Sequence, residues 1–210
     1  MHSPEETDKD AIEFSPKKIF GWTIGIEASL VLMAFGVAWM FGFYDPQQPI
    51  SSWFGSGWIG QLAIGAMLSL PILYLVLVVM PRWESLADFY KFVYAELARI
   101  FRGMNVWQVA ALSLAAGVGE EILFRWCLQG GLAARFGLGV ALAAASLIFG
   151  AVHFLNKTYF VLATAMSLIL GLIYWRFGLL AAIACHAMYD FLALQHLLKG
   201  TAPNIERESL

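Results

Sequence analysis

The chain has 210 residues, of which 60% are hydrophobic and 13% charged, and its formal net charge is -2. So little polar surface cannot cover a water-soluble globule of this length, and the composition predicts an all-α, polytopic transmembrane helix bundle whose first partner is the lipid bilayer. There is no basic face to neutralise phosphates, which excludes nucleic acid as a partner.

In chain order, residues 1–18 read as a mobile cytoplasmic extension. A bilayer core requires about 20 apolar residues of helix, and that rule selects the spans. Phe20–Tyr44 is the first; it follows a charged stretch and lacks a small-residue cleavage site, so it reads as a retained span. Trp58–Met80 is the second, with Pro71 expected to kink it. Glu84–Phe101 differs: Leu86, Phe89, Tyr90, Val93, Leu97, Ile100 and Phe101 recur at helical spacing, opposite Glu84, Asp88, Lys91, Arg99 and Arg102. That pattern predicts an amphipathic helix lying in the membrane interface. Trp107 to about Ala134 is a long third span, and Gly137–Leu155, Tyr159–Trp175 and Leu179–Leu198 bring the expected number to about six. Residues 19–106 thus hold two spans and the interfacial helix, 107–198 a four-helix core, and 199–210 a cytoplasmic tail. Cys127 and Cys185 both lie in apolar sequence with no CxxC spacing and read as reduced packing residues.

Lysine and arginine set the orientation. With a cytoplasmic N-terminus, ten of them fall on the cytoplasmic side (Lys9, Lys17, Lys18, Arg82, Lys91, Arg99, Arg102, Lys157, Lys199, Arg207) and two outside (Arg135, Arg176). Both termini are therefore expected in the cytoplasm, and the protein in the plasma membrane of a prokaryote.

An ionisable side chain inside a bilayer costs at least a few kcal/mol by insertion scales, so each one calls for a partner or a function. The spans hold Glu27, Glu120, Glu121, Arg125, His153, His186 and Asp190. Glu121 and Arg125 are four apart on one helix face and read as a structural ion pair. Glu120, rotated about 100° from Glu121, is left without that arginine. His186 and Asp190 share a face by the same spacing, as do Phe149 and His153; taken alone, His153 reads as a core histidine bonded to a backbone carbonyl. Glu27 either lines the same cavity or reaches the interface or a lysine.

Depth decides which of these groups can meet. Glu120 and His153 each lie about 16 residues, roughly 24 Å of helix, from the turn near Phe136, so they return to the same level. His186 lies roughly 12 Å and Asp190 roughly 18 Å along the last helix from the turn at 176–178, close to that level once tilt is allowed. Gly117, Gly119, Gly150, Ala151 and Ala182 would let the helices approach or leave room for a ligand. Ser113 and Ser146 read as packing residues.

A buried carboxylate with two histidines suits activation of water against a carbonyl: Glu120 as general base, His153 sharing the water and its proton, His186 with Asp190 stabilising the oxyanion. The stretches EEILFR, FGAVH and HAMYD, in that order within apolar helices, resemble the EExxxR, FxxxH and HxxxN/D motifs of the CAAX-protease and bacteriocin-processing family of intramembrane proteases. The resemblance covers about Trp107–Leu194. It implies an endopeptidase that hydrolyses membrane-associated peptides or proteins, with Glu120 and His153 activating water, His186 and position 190 holding the oxyanion, Glu121 and Arg125 ordering the site, and a helical cavity open to the cytoplasm. Where Asn is common in the third motif this chain has Asp190, which must be protonated or must orient His186. A glutamate-type mechanism without cofactor is expected; were a divalent metal such as zinc used, Glu120, His153 and His186 would be its ligands, with a fourth position for water. Two other readings share these residues: a proton-coupled transporter, in which Glu and His form a relay, and a noncatalytic immunity or scaffold protein of the same fold. The six spans show no repeat pair of the kind many transporters carry.

Overall fold

The computed structural model describes residues 15–199; the N-terminal extension up to residue 14 and the tail from 200 lie outside them. Within these residues the chain is helical, with no strand.

Helix α1, Pro16–Phe41, starts four residues earlier than the apolar run suggests. Ser15 caps it, its hydroxyl accepting from the Lys18 amide, and proline at the first helical position completes the start signal. Residues 15–18, expected in the extension, are therefore the beginning of the first helix. Gly42 ends it in the left-handed conformation (φ 57°). Helix α2, Trp58–Tyr74, contains Pro71 and runs on through a π turn, Leu75–Val79, and a 3-10 turn, Met80–Arg82. Proline removes one backbone donor, and the helix loosens a turn later.

Helix α3, Glu84–Phe101, has the bounds expected of the amphipathic segment. Its charged side is exposed and carries the Asp88–Lys91 (3.6 Å) and Glu96–Arg99 (2.6 Å) pairs, while Ile100, expected on the apolar side, is exposed as well. Helix α4, Val106–Glu121, opens with an Asn105–Gln108 capping box. It continues through eight π-helical residues, Ile122–Gln129, into α5, Gly130–Phe136, as one rod of 31 residues. Helix α6, Leu138–Val152, is only 15 residues long; α7, Lys157–Phe177, and α8, Leu179–Lys199, complete the bundle.

Among the described residues, four helices are long and apolar enough to cross a membrane: 16–41, 58–82, 106–136 and 157–177. The remaining two expected spans are helices also, one short and one carrying His186, Asp190 and His196. Large apolar side chains such as Trp39, Met67, Trp107 and Trp175 are mostly exposed around the bundle, as suits an integral membrane protein. The 31-residue rod and α7 are the most enclosed of the four. The core gathers Ile122, Trp126, Leu170, Tyr174 and the first turns of α8, with Ala34 of α1 packed against them. Small residues set the close approaches. A Cβ on Gly65 would lie 2.1 Å from the Ala181 carbonyl oxygen, and one on Gly117 3.0 Å from the Ile183 carbonyl. Ala182 is buried, but Ala151, grouped with the small packing residues by sequence, is exposed, since it falls on the outer side of the last turn of α6.

Candidate active site

The shortness of α6 shapes the site. Its last helical residue is Val152, so His153 is not within the helix but caps its C-terminus (φ -96°, ψ 15°). At 15 residues α6 rises about 22 Å, and Phe149 and His153 at its C-terminal end border a cavity. The cavity, of about 400 Å³, is walled by the π turn of α2, by Phe89, Tyr90, Val93 and Tyr94 of α3, and by Tyr159 and Leu162 of α7. Glu120, His153, His186 and Asp190 all border it. The apolar side of α3 therefore faces this cavity as well as the bundle.

Glu120 sits one residue before the fully buried Glu121, at the point where α4 passes into its π-helical stretch. His153 Nε2 lies 3.5 Å from Glu120 Oε1 and His186 Nε2 3.9 Å from Glu120 Oε2. Oε2 of Glu120 is buried without a hydrogen-bond partner among the described residues. The His153 ring is held on its other edge by Nδ1 against the Phe149 carbonyl oxygen (2.9 Å) and by stacking on the Phe149 ring (4.2 Å). A carbonyl oxygen only accepts, so Nδ1 carries the proton and Nε2 is the nitrogen left facing Glu120. The backbone-bonded histidine expected of His153 alone and the site histidine are thus the same side chain.

Glu121 does more than pair with Arg125. One oxygen accepts from Arg125 Nε at 2.9 Å, and the other lies 2.9 Å from His186 Nδ1, tying α4 to α8. Glu121 and Arg125 are both fully buried, and the guanidinium lies 5.6 Å from the centre of the Phe149 ring. Asp190 approaches His186 from the other side, at 3.4 Å from Nε2. Of the two readings open for Asp190, orientation of His186 through its ring N–H falls first to Glu121, the closer carboxylate. Phe149 touches Phe124 (4.9 Å), His153 and His186 (6.5 Å), filling the floor between α4, α6 and α8.

Glu27 belongs here too. It is buried on α1 with Oε2 unpartnered, close enough to Gly119 that a Cβ there would meet that oxygen at 2.7 Å. Its electrostatic neighbours are Glu120, His186, Asp190 and His153. Neither expectation for Glu27 is realised as stated: it does not border the cavity but is buried against Gly119, beside Glu120. The signal in the sequence is an acid within an apolar helix, nine positions beyond Lys18.

Cys127 and Cys185 are buried free thiols, and Ser113 and Ser146 are buried between helices, as packing residues would be. Among the described residues, no three His, Cys, Asp or Glu side chains are arranged to hold a metal ion.

Comparison with known proteins bears on residues 102–192, which match the family model described as type II CAAX prenyl endopeptidase Rce1-like. A Bacillus subtilis (strain 168) protein described as "Uncharacterized protein YpbD" is 35% identical over 96 residues, which cover 44% of this chain and 47% of that protein. The chain thus spans about half the length of the curated relative it matches. No solved structure matches the chain. Residues 102–192, which contain Glu120, His153, His186 and Asp190 in their three motifs, are thus similar to the Rce1-like type II CAAX prenyl endopeptidase family model over somewhat less than half of the chain.

Proposed function

We propose that the protein is an intramembrane endopeptidase that hydrolyses a peptide bond of a membrane-associated substrate with water activated by Glu120 and His153. The observation that carries this reading is a carboxylate with one oxygen 3.5 Å from a histidine nitrogen and the other unpartnered, at the floor of an apolar cavity of about 400 Å³. Water held there loses a proton to Glu120 as its oxygen bonds to the substrate carbonyl carbon, and the carbonyl electron pair moves onto oxygen. His186, with a carboxylate beside each ring nitrogen, is held as a donor and offers Nε2–H to that oxyanion. Asp190, 3.4 Å from His186 Nε2, keeps that edge of the ring turned towards the cavity. His153 Nε2 receives the proton from Glu120 and passes it to the leaving nitrogen as the C–N bond breaks and the carbonyl reforms. Glu121 and Arg125 fix the position of His186 and the floor.

The mechanism is of the glutamate type, without a metal. The topology we infer has six spans, with both termini and the cavity mouth on the cytoplasmic side of a prokaryotic plasma membrane. That orientation rests on the ten-to-two split of basic residues. The cavity lining suits a peptide whose residues beside the scissile bond are apolar.

The test uses the purified full chain in lipid vesicles with a quenched fluorescent peptide carrying a membrane anchor. Wild type is expected to cleave it, and Glu120→Gln and His153→Ala to lose cleavage while melting at or above the wild-type temperature. Full peptidase activity in both variants would overturn the assignment, and proton-coupled uptake that tracked the same two residues would replace it with the transporter reading.

A further inference from the structure

Glu27 stands outside the segment that carries the three motifs, yet it packs against Gly119, the residue next to Glu120. It comes from α1, it is 8% exposed, and its Oε2 has no hydrogen-bond partner among the described residues. Glu120 Oε2 is in the same condition, and these are the two carboxylate oxygens of the described residues so left. Buried polar atoms in native proteins are nearly always paired, with protein or with ordered water. The approach that brings Glu27 in depends on one missing side chain. Gly119, next to Glu120, has its α-carbon against Glu27, and a Cβ there would meet Glu27 Oε2 at 2.7 Å and the Glu27 carbonyl oxygen at 2.8 Å.

The geometry points to a water held between Glu27 Oε2 and Glu120 Oε2, donating one O–H to each, with Glu27 as the second acceptor that fixes the reacting water. A water molecule has two donors, and two acceptors from different helices fix its orientation, which leaves its lone pairs for the substrate carbonyl. In the hydrolytic step the O–H facing Glu120 breaks and the C–O bond forms, while the O–H facing Glu27 remains intact. Glu27 thus serves the attack without taking a proton. The inference rests on the water-activation reading for its catalytic consequence, but the water site itself does not.

Two measurements on the full chain in lipid vesicles separate these. The first is infrared difference spectroscopy in H2(18)O against H2(16)O, which reads a buried, weakly bonded water, together with thermal unfolding. Wild type is expected to show an isotope-sensitive O–H band that is lost in Glu27→Leu, and Glu27→Leu to melt at or above the wild-type temperature, because an apolar residue replaces a buried acid held for function. Persistence of the band in Glu27→Leu, or a fall in its melting temperature, would overturn the inference. The second is turnover of the quenched peptide. Glu27→Leu is expected to lower kcat by about tenfold to a hundredfold with KM nearly unchanged, and Glu27→Gln, which keeps an acceptor oxygen, to recover part of the loss. An unchanged kcat, or a loss confined to KM, would overturn it. If wild type and Glu120→Gln were equally inactive, the peptidase reading would fail, and the band and the melting temperature would still decide the water site.

Discussion

Two polar clusters sit at different levels of the same 31-residue helix, and they treat their polar atoms in opposite ways. At the end nearest the α1–α2 loop, the Tyr174 hydroxyl donates to Asp45 at 2.5 Å and the Asp45 amide to the Trp126 carbonyl at 2.9 Å. The Trp126 indole N–H donates to the Gln48 carbonyl at 3.0 Å, and the Gln48 side chain accepts from the Leu179 amide at 3.1 Å. Arg135 donates to the Gly131 and Gly42 carbonyls and covers the Phe43 ring at 4.6 Å. Glycines admit the loop: a Cβ on Gly130 would meet Asp45 Cβ at 2.3 Å. This cluster is closed and apolar at its rim, with Phe35, Tyr44 and Trp53 packed about Trp126. The Glu120 cluster, about two to four turns along the rod, leaves buried carboxylate oxygens of Glu27 and Glu120 without a partner among the described residues, with Glu120 beside a cavity. A satisfied network in an apolar surround stabilises the fold, whereas an unsatisfied one is retained for chemistry at some expense of stability.

That contrast can be broken from either side. The largest effect is expected from Glu120→Gln, which should lower peptide cleavage by about 10²- to 10⁴-fold, the range of a lost general base, without lowering the thermal midpoint. Cleavage assays run beside thermal unfolding in vesicles check both halves. Arg125→Met should next reduce stability by about 3–5 kcal/mol, because it strands the fully buried Glu121, and should also slow cleavage through His186. Denaturant unfolding in mixed micelles measures the first part. Tyr174→Phe should cost about 1–3 kcal/mol of stability, as a half-buried carboxylate loses its donor, and leave kcat within about twofold of wild type. A tenfold fall in kcat there would show that the two clusters are coupled and not merely neighbours. The smallest effect is expected from dialysis against a strong zinc chelator, which should leave cleavage unchanged if Glu120 and His153 act without a metal; loss restored by added zinc would reverse that.

Part of this was legible residue by residue. Pairing of Glu121 with Arg125, and of Phe149 with His153, follows from helical spacing alone, because i and i+4 side chains share a face. The meeting of Glu120 and His153 follows from equal distances to one turn. The contact between Glu121 and His186 was not legible, since it joins two helices 65 positions apart through a choice of rotamer. Nor was the π-helical stretch at Ile122–Gln129, which turns Arg125, Trp126, Cys127 and Gln129 all inward; nothing in its apolar composition distinguishes i+5 from i+4 bonding. His153 was placed within a helix because the apolar run continues to Leu155, but the helix stops at Val152, where Asn156 starts the cap of the next.

What the amino-acid order determined by itself is the class and the neighbourhoods: an oily helical bundle, an amphipathic helix of 18 residues, and intramembrane acids and imidazoles at matching depth. These depend on periodicity and length, which are local quantities. The tertiary structure alone decided that Glu27 joins the site, that one glutamate holds both an arginine and a histidine, and that the loop after α1 closes one end of the bundle. Those outcomes turn on which helix faces meet and how near a missing Cβ lets them come, and no local pattern encodes the rotation of one helix against another.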